Sequence, residues 1–295
     1  MSETAGQPKF GTTDLLLLTM AVIWAINFSV VKYAMQIFSP LAFTGLRVGV
    51  AAAVLGTMAL VSERTSLTRR DVLLLLGLGV LGNGLYQLLF VSGMARTRAG
   101  NAALIVAAAP GFIALASRFR GLEKLGRRMI AGVALSVVGV AVVMLGSARA
   151  TAGSSTFLGS FLVFCGVICW TFFTVLLQPH TARIKVVQLS AITMAGGAIP
   201  LLIVSAPALL ATRWSAVGWE GWAALFYASV ISMVVAYMFW YRGLRLLGPT
   251  RTAVYSNVQP IIALLVAWLF LSEAPTAWQW GGAATIIAGV FLTRT

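Results

Sequence analysis

The sequence predicts an all-α integral membrane protein, with ten transmembrane helices arranged as two inverted-topology five-helix repeats. Three observations carry that expectation. The first is composition: of 295 residues, 60% are hydrophobic and only 9% are charged. A soluble domain carries about 25% charged residues, so a chain this poor in charge has lipid as most of its solvent. Open strands leave backbone groups unpaired in hydrocarbon, which selects helices. Each crossing needs about 20 apolar residues, so this length accommodates about ten crossings and no sizeable soluble domain.

The second observation is the alternation of apolar runs and breaks. Runs fall at 14–33, 41–61, 72–94, 99–118, 129–147, 157–178, 186–209, 220–241, 252–271 and 276–293. The breaks hold charge, Pro or Gly. They include Ser39-Pro40, the segment from Glu63 to Asp71, Arg96 to Arg98, the RFRGLEKLGRR stretch from Arg118, Gln178-Pro179-His180, and Arg242 to Arg251. The apolar run from Leu15 to Val31 has no small-residue cleavage site after it and reads as a first membrane helix, not a removed leader. Residues 1–13 then form a cytoplasmic tail, 14–147 the first five-helix repeat and 157–293 the second.

The third observation is an internal duplication. The stretch from Gly82 to Phe112 returns at Ser232 to Ile262 with an ungapped offset of 150 residues. Gly93 falls on Gly243, Ala103 on Ala253, Pro110 on Pro260 and Leu115 on Leu265. The match continues through Glu123/Glu273, Gly132/Gly282 and Gly139/Gly289. Self-similarity at a fixed offset marks a repeat. Five spans per half is an odd number, so the second half enters the membrane from the opposite side. That is a plan used by carriers that rock around a central site.

Orientation follows from Lys and Arg on alternate sides. With the N-terminus in the cytoplasm, 15 basic residues lie inside and 5 outside, with Arg47 left within a span. Both termini are therefore expected to be cytoplasmic.

Several other classes are disfavoured. The net charge is +14, but the basic residues sit in small groups at helix ends. They form no continuous face with interleaved aromatics, so nucleic acid is not an expected partner. Cys165 and Cys169 lie at helical spacing inside an apolar run and read as packing residues. Gly77-Leu-Gly79-Val-Leu-Gly82 fits a dinucleotide fingerprint by letter, but it sits inside a span with no strand before it and no acid about 20 residues on. Close helix packing or a flexible wall suits it better. HExxH and GxSxG are absent and the single His180 is in a loop, so an intramembrane enzyme is not expected. Nothing calls for a metal or a cofactor, and no obligate protein partner is evident.

The candidate site rests on polar and aromatic side chains inside spans. Asn83, Tyr86, Gln87 and Phe90 share one stripe of the third span. Gln87 and Phe90 fall on Tyr237 and Trp240 in the second half. The ninth span adds Tyr255, Asn257 and Gln259; the first adds Trp24 and Asn27; the fourth adds Asn101; the sixth adds Trp170. Amides are expensive in hydrocarbon unless they face protein or a wet cavity. These residues either line a central cavity for a neutral, partly aromatic solute or hold helices together. Arg47 is the one clear charge within a span. It is either a counter-charge for a substrate carboxylate or a structural residue, and its depth favours a structural role reaching to the interface. Pro110 and Pro260 break spans at matching places, and Gly82 and Gly84 add flexibility beside them. The seven acids all lie in the tail, in loops or at span ends, which disfavours an intramembrane carboxylate as a proton relay.

With Trp24-x-x-Asn27-Phe28, Arg47, the two prolines and the Glu-Gly-Gly-Val pattern ending each half, the chain resembles the drug/metabolite transporter superfamily in its ten-span EamA-type branch. It is most similar to the YddG-type exporters of aromatic amino acids, which are also associated with methyl viologen. That resemblance implies a basket-like bundle with a central cavity, alternating access and export of neutral and aromatic amino acids across the bacterial inner membrane. A multidrug or other metabolite exporter on the same fold is the alternative. The four-span pumps of the superfamily use a carboxylate in the first span; this chain has Asn27 there, so their mechanism is not carried over.

Overall fold

The computed structural model describes residues 11–121, 127–150 and 154–292. Most of the polar tail, Glu123 and Arg294 lie outside the described residues. Every regular element among those described is helical. The first, α1, covers Thr12–Ala34 and starts where the Asp14 carboxylate accepts from the Gly11 N–H at 2.7 Å. The second, α2, covers Pro40–Val61. Ser39 Oγ accepts from the Ala42 N–H at 3.3 Å, and Pro40 occupies a first-turn position that needs no N–H donor. A reciprocal Thr68–Asp71 cap opens α3, Arg69–Arg96. The remaining rods are α4 (Ala99–Phe119), α5 (Arg127–Ala150), α6 (Ser154–Thr181), α7 (Val186–Leu210), α8 (Trp219–Leu247), α9 (Pro249–Leu271) and α10 (Ala277–Leu292).

Eight of these, α1 to α4 and α6 to α9, are long and apolar enough to cross a membrane. Within α5 the apolar part is shorter, Ile130–Gly146, and α10 has 16 residues. Large apolar side chains face outward, among them Leu210, Phe119 and Phe270 at 87%, 79% and 77% exposure. Apolar surface on that scale belongs in lipid, not water. Cys165 and Cys169 are free thiols.

One boundary differs from the expected one. The eighth run was expected to end at 241, yet α8 continues to Leu247. Arg242 and Arg245 sit in its last two turns, where positive charge suits the helix dipole. The helix ends only at Gly248, whose φ of 80° favours glycine, and Pro249 follows it.

Four rods contain irregular turns. A π-helical segment runs through Val80–Leu85 in α3 and Tyr227–Val235 in α8. Gly82 and Gly84 lie inside the first of these. In α4 a turn at Ala107-Ala108 precedes the segment carrying Pro110, and in α9 a 3₁₀ turn at Tyr255–Val258 precedes the segment carrying Pro260. Both kinds of irregularity recur at the 150-residue offset. Each proline sits in the first turn of the segment after its break, where its missing N–H costs least.

Packing is tightest where glycines let backbones meet. A Cβ on Gly79 would lie 2.0 Å from the Thr193 carbonyl oxygen, and one on Gly196 would lie 2.2 Å from that of Leu76. Within the glycine run of α3, Gly79 makes this backbone contact with α7, while Gly82 meets the Phe173 ring of α6 and Gly77 has nothing within 4 Å. The pair α5 and α10 is built the same way around Gly132, Gly139, Gly282 and Gly289.

Candidate functional site: a central aromatic cavity

A cavity opens where α1, α2, α3, α4, α6, α8 and α9 meet. The described residues of α5, α7 and α10 contribute nothing to its walls. Its centre is a cluster of aromatic rings. Trp170 packs on Tyr86 at a centroid distance of 5.1 Å and on Tyr237 and Trp240 at 5.5 Å each. Trp24 touches Trp170, Tyr237 and Trp240 at 5.8, 5.7 and 5.5 Å. An aromatic ring placed between two others needs about 7 Å, twice the ordinary carbon–carbon contact. These walls are therefore closed upon each other, and a solute ring enters only as they part.

Local winding sets the cluster. Trp24 Nε1 donates to the Ser232 carbonyl at 3.0 Å, and Tyr227 Oη donates to the Ile23 carbonyl at 3.0 Å. Both α8 residues lie in its π segment, where the altered repeat changes which carbonyls the helix itself uses. Gln87 Nε2 donates to Tyr237 Oη at 2.9 Å, tying α3 to α8 across the cavity.

Arg47 is the unexpected member. It does not reach the interface; it is 1% exposed and lines the cavity. Its Nε points to Met233 Sδ at 3.3 Å, its guanidinium lies 5.8 Å from the Phe43 ring, and Nη1 has no hydrogen-bond partner. No carboxylate lines the cavity among the described residues. Asn27 Oδ1, Gln87 Oε1, Gln259 Nε2 and Trp240 Nε1 are also buried there without partners. Buried polar atoms are nearly always hydrogen-bonded. Among the described residues other such atoms lie elsewhere in the bundle, but these five offer their donors and acceptors to one space. The donors and acceptors suit a small molecule with an anionic end for Arg47 and an apolar or aromatic body for the rings.

The structure brings together Trp24, Asn27, Arg47, Tyr86, Gln87, Trp170, Tyr237, Trp240, Gln259 and Pro110. It places the other expected residues elsewhere. Asn101 is buried in a polar contact near the start of α4: it donates to Thr97 Oγ1 at 3.3 Å and accepts from Gln279 Nε2 at 2.8 Å. Its amide is glue. Tyr255 faces the N-terminal end of α1, where its hydroxyl donates to the Asp14 carboxylate. Asn83 is fully buried and packs on Gly197 of α7. Asn257, Pro260, Gly82 and Gly84 do not line the cavity. Helical spacing put Asn83 and Asn257 near the right stripe, but the π and 3₁₀ turns rotate the face that looks inward. Ser232 and Met233 line the cavity and were not singled out. They are the 150-residue partners of Gly82 and Asn83, which lie outside the cavity, so the two halves differ at this place.

A lipid-facing exterior around a polar-lined centre defines a multi-pass membrane carrier for a small solute. The sequence comparisons are consistent with that class. The EamA-like transporter family model matches the chain twice, at residues 11–145 and 157–295, and the chain belongs to that family. An uncharacterized transporter of Archaeoglobus fulgidus is 30% identical over 288 residues, covering 95% of this chain and 96% of its own. The transporter YyaM of Bacillus subtilis, also uncharacterized, is 25% identical, with 94% and 91% covered. A probable amino-acid metabolite efflux pump of Salmonella typhimurium is 26% identical over 288 residues, with 94% and 93% covered. One solved crystal structure shares the fold at a TM-score of 0.66 and 18% identity, covering 96% of this chain and 98% of its own.

Proposed function

We propose that this protein exports small neutral and aromatic amino acids from the cytoplasm by alternating access around the central cavity. The observation that carries the reading is Arg47: a fully buried guanidinium in an aromatic wall with no carboxylate to meet it among the described residues. An amino acid supplies the missing carboxylate, and its side chain enters among Trp24, Trp170, Tyr237 and Trp240. The efflux-pump relative supports the substrate class.

In this reading all ten rods cross the bacterial inner membrane, in two inverted five-helix repeats, 14–147 and 157–293, with both termini cytoplasmic. The contact pattern supports the inversion. Gln87 bonds Tyr237, its own partner at the 150-residue offset. Gly132 meets Gly289 while Gly139 meets Gly282, so each residue contacts the partner of the other. Such reciprocal exchange is the mark of a two-fold axis, here lying in the membrane plane. Pro110, Gly82 and Gly84, with Pro260, sit where each half would flex. With no acid lining the cavity among the described residues, this reading has transport running without an intramembrane carboxylate relay.

Flux of radiolabelled amino acids in proteoliposomes tests this. Saturable phenylalanine and leucine flux is expected without an imposed pH gradient. Absence of saturable flux for every neutral amino acid would sink the reading, and a strict need for the gradient would remove its claim about coupling.

A further inference from the structure

A second cavity lies on the outer side of α4 and α6, back to back with the first. It holds about 290 Å³ and is lined by the α4 residues Phe112, Leu115 and Ala116 and by Ile168, Thr171 and Phe172 of α6. The interior is apolar. Its one inner polar group, the Thr171 hydroxyl, already donates to the Val167 carbonyl at 2.8 Å. A soluble polar molecule therefore finds nothing to bond, whereas an alkyl chain loses nothing on entry. Phe119 and Phe172 flank it, 79% and 51% exposed, so it faces the lipid side of the bundle.

One end of the groove is different. Arg120, exposed at the end of α4, closes it. The stretch from Arg118 to Arg128 holds five basic residues (Arg118, Arg120, Lys124, Arg127, Arg128) against one acid (Glu123), a net charge of +4. At the offset of 150, Arg120 corresponds to Phe270, and the segment from Ser272 to Thr276 has no basic residue. Among the described residues, Arg120 is the one of these basic residues that lines the groove, and the second half has no basic residue at its place.

We infer that the groove is a binding site for an anionic phospholipid, one acyl chain lying between α4 and α6 and the headgroup phosphate meeting Arg120. An alkyl chain suits the apolar lining, and a phosphate suits the Arg120 guanidinium. A basic residue at the membrane surface favours an anionic over a zwitterionic headgroup by about five-fold. The site rests on membrane insertion alone and stands whatever solute the central cavity takes. Its position gives it leverage, because the same helices line both spaces. Pro110 and Ile113 of α4 and Val167 and Trp170 of α6 face the central cavity. A lipid seated behind them braces the wall that must part.

Native mass spectrometry of the full chain in detergent, with phosphatidylglycerol or phosphatidylcholine of the same acyl chains, tests the site. The wild-type protein is expected to retain phosphatidylglycerol at least five-fold more strongly. Arg120→Gln, at an exposed position, should bring it down to the phosphatidylcholine level. Ala116→Phe, which fills the groove, should weaken both lipids. Equal retention of the two lipids by the wild type would overturn the inference. So would phosphatidylglycerol binding unchanged in both variants.

Discussion

Replacing Arg47 with Gln or Met lowers amino-acid flux by roughly 10- to 100-fold while raising the thermal midpoint of the purified protein. The two effects have different sources. A charge-assisted hydrogen bond to a carboxylate contributes about 1.5–3 kcal/mol, and each 1.4 kcal/mol is about tenfold. Losing it costs substrate binding by that factor. Stability moves the other way, because Arg47 is buried at 1% exposure without a carboxylate partner. The desolvation penalty of a buried charge is several kcal/mol. Its contact with the Phe43 ring returns about 0.5–2 kcal/mol, so the penalty wins. Arg47→Met keeps an unbranched, flexible side chain and removes the charge. Flux in proteoliposomes and unfolding in detergent check the pair. A variant that is less stable and equally active would mean that Arg47 is a structural residue after all.

Gly196→Val is expected to abolish a monodisperse, folded protein, while Gly56→Ala is tolerated. A Cβ on Gly196 would sit 2.2 Å from the Leu76 carbonyl oxygen, backbone against backbone. No side-chain rotation relieves that contact, so α3 and α7 must separate. Overpacking costs roughly 1–3 kcal/mol and more where backbone must move. The displacement also carries Tyr86 and Gln87, which lie further along α3. Gly56 has nothing within 4 Å of its Cβ position, and alanine favours the helix by about 1 kcal/mol. Size-exclusion profiles of the two variants in detergent separate these outcomes; equal profiles would show that the α3–α7 contact is slack.

Much of the fold was legible because lipid imposes a simple rule on sequence. Apolar runs of about 20 residues with charged or Pro-Gly breaks can be little else. The same rule hid the end of α8, since Arg242 and Arg245 look like a break yet ride on the helix to Gly248. At the cavity, the expected residues that come together lie on regular turns: Trp24 with Asn27, Tyr86 with Gln87, Tyr237 with Trp240. Those displaced from the cavity, Asn83 and Asn257, sit in a π and a 3₁₀ turn, and a 3.6-residue period cannot place them. Asn101 was out of reach for another reason. Only the partner Gln279, 178 residues away, decides that its amide binds protein. Arg47 was legible as a charge within a span, but not as an unpaired one. That depends on which helices close around it.

The central claim is that the cavity recognises a carboxylate through Arg47 and a side chain through its rings. Equilibrium binding of phenylalanine and phenethylamine to the purified protein tests it most directly, because the two differ only in the carboxylate. Saturable phenylalanine binding with phenethylamine at least tenfold weaker is the predicted result. Equal affinity for the two, or no binding of phenylalanine, would contradict it.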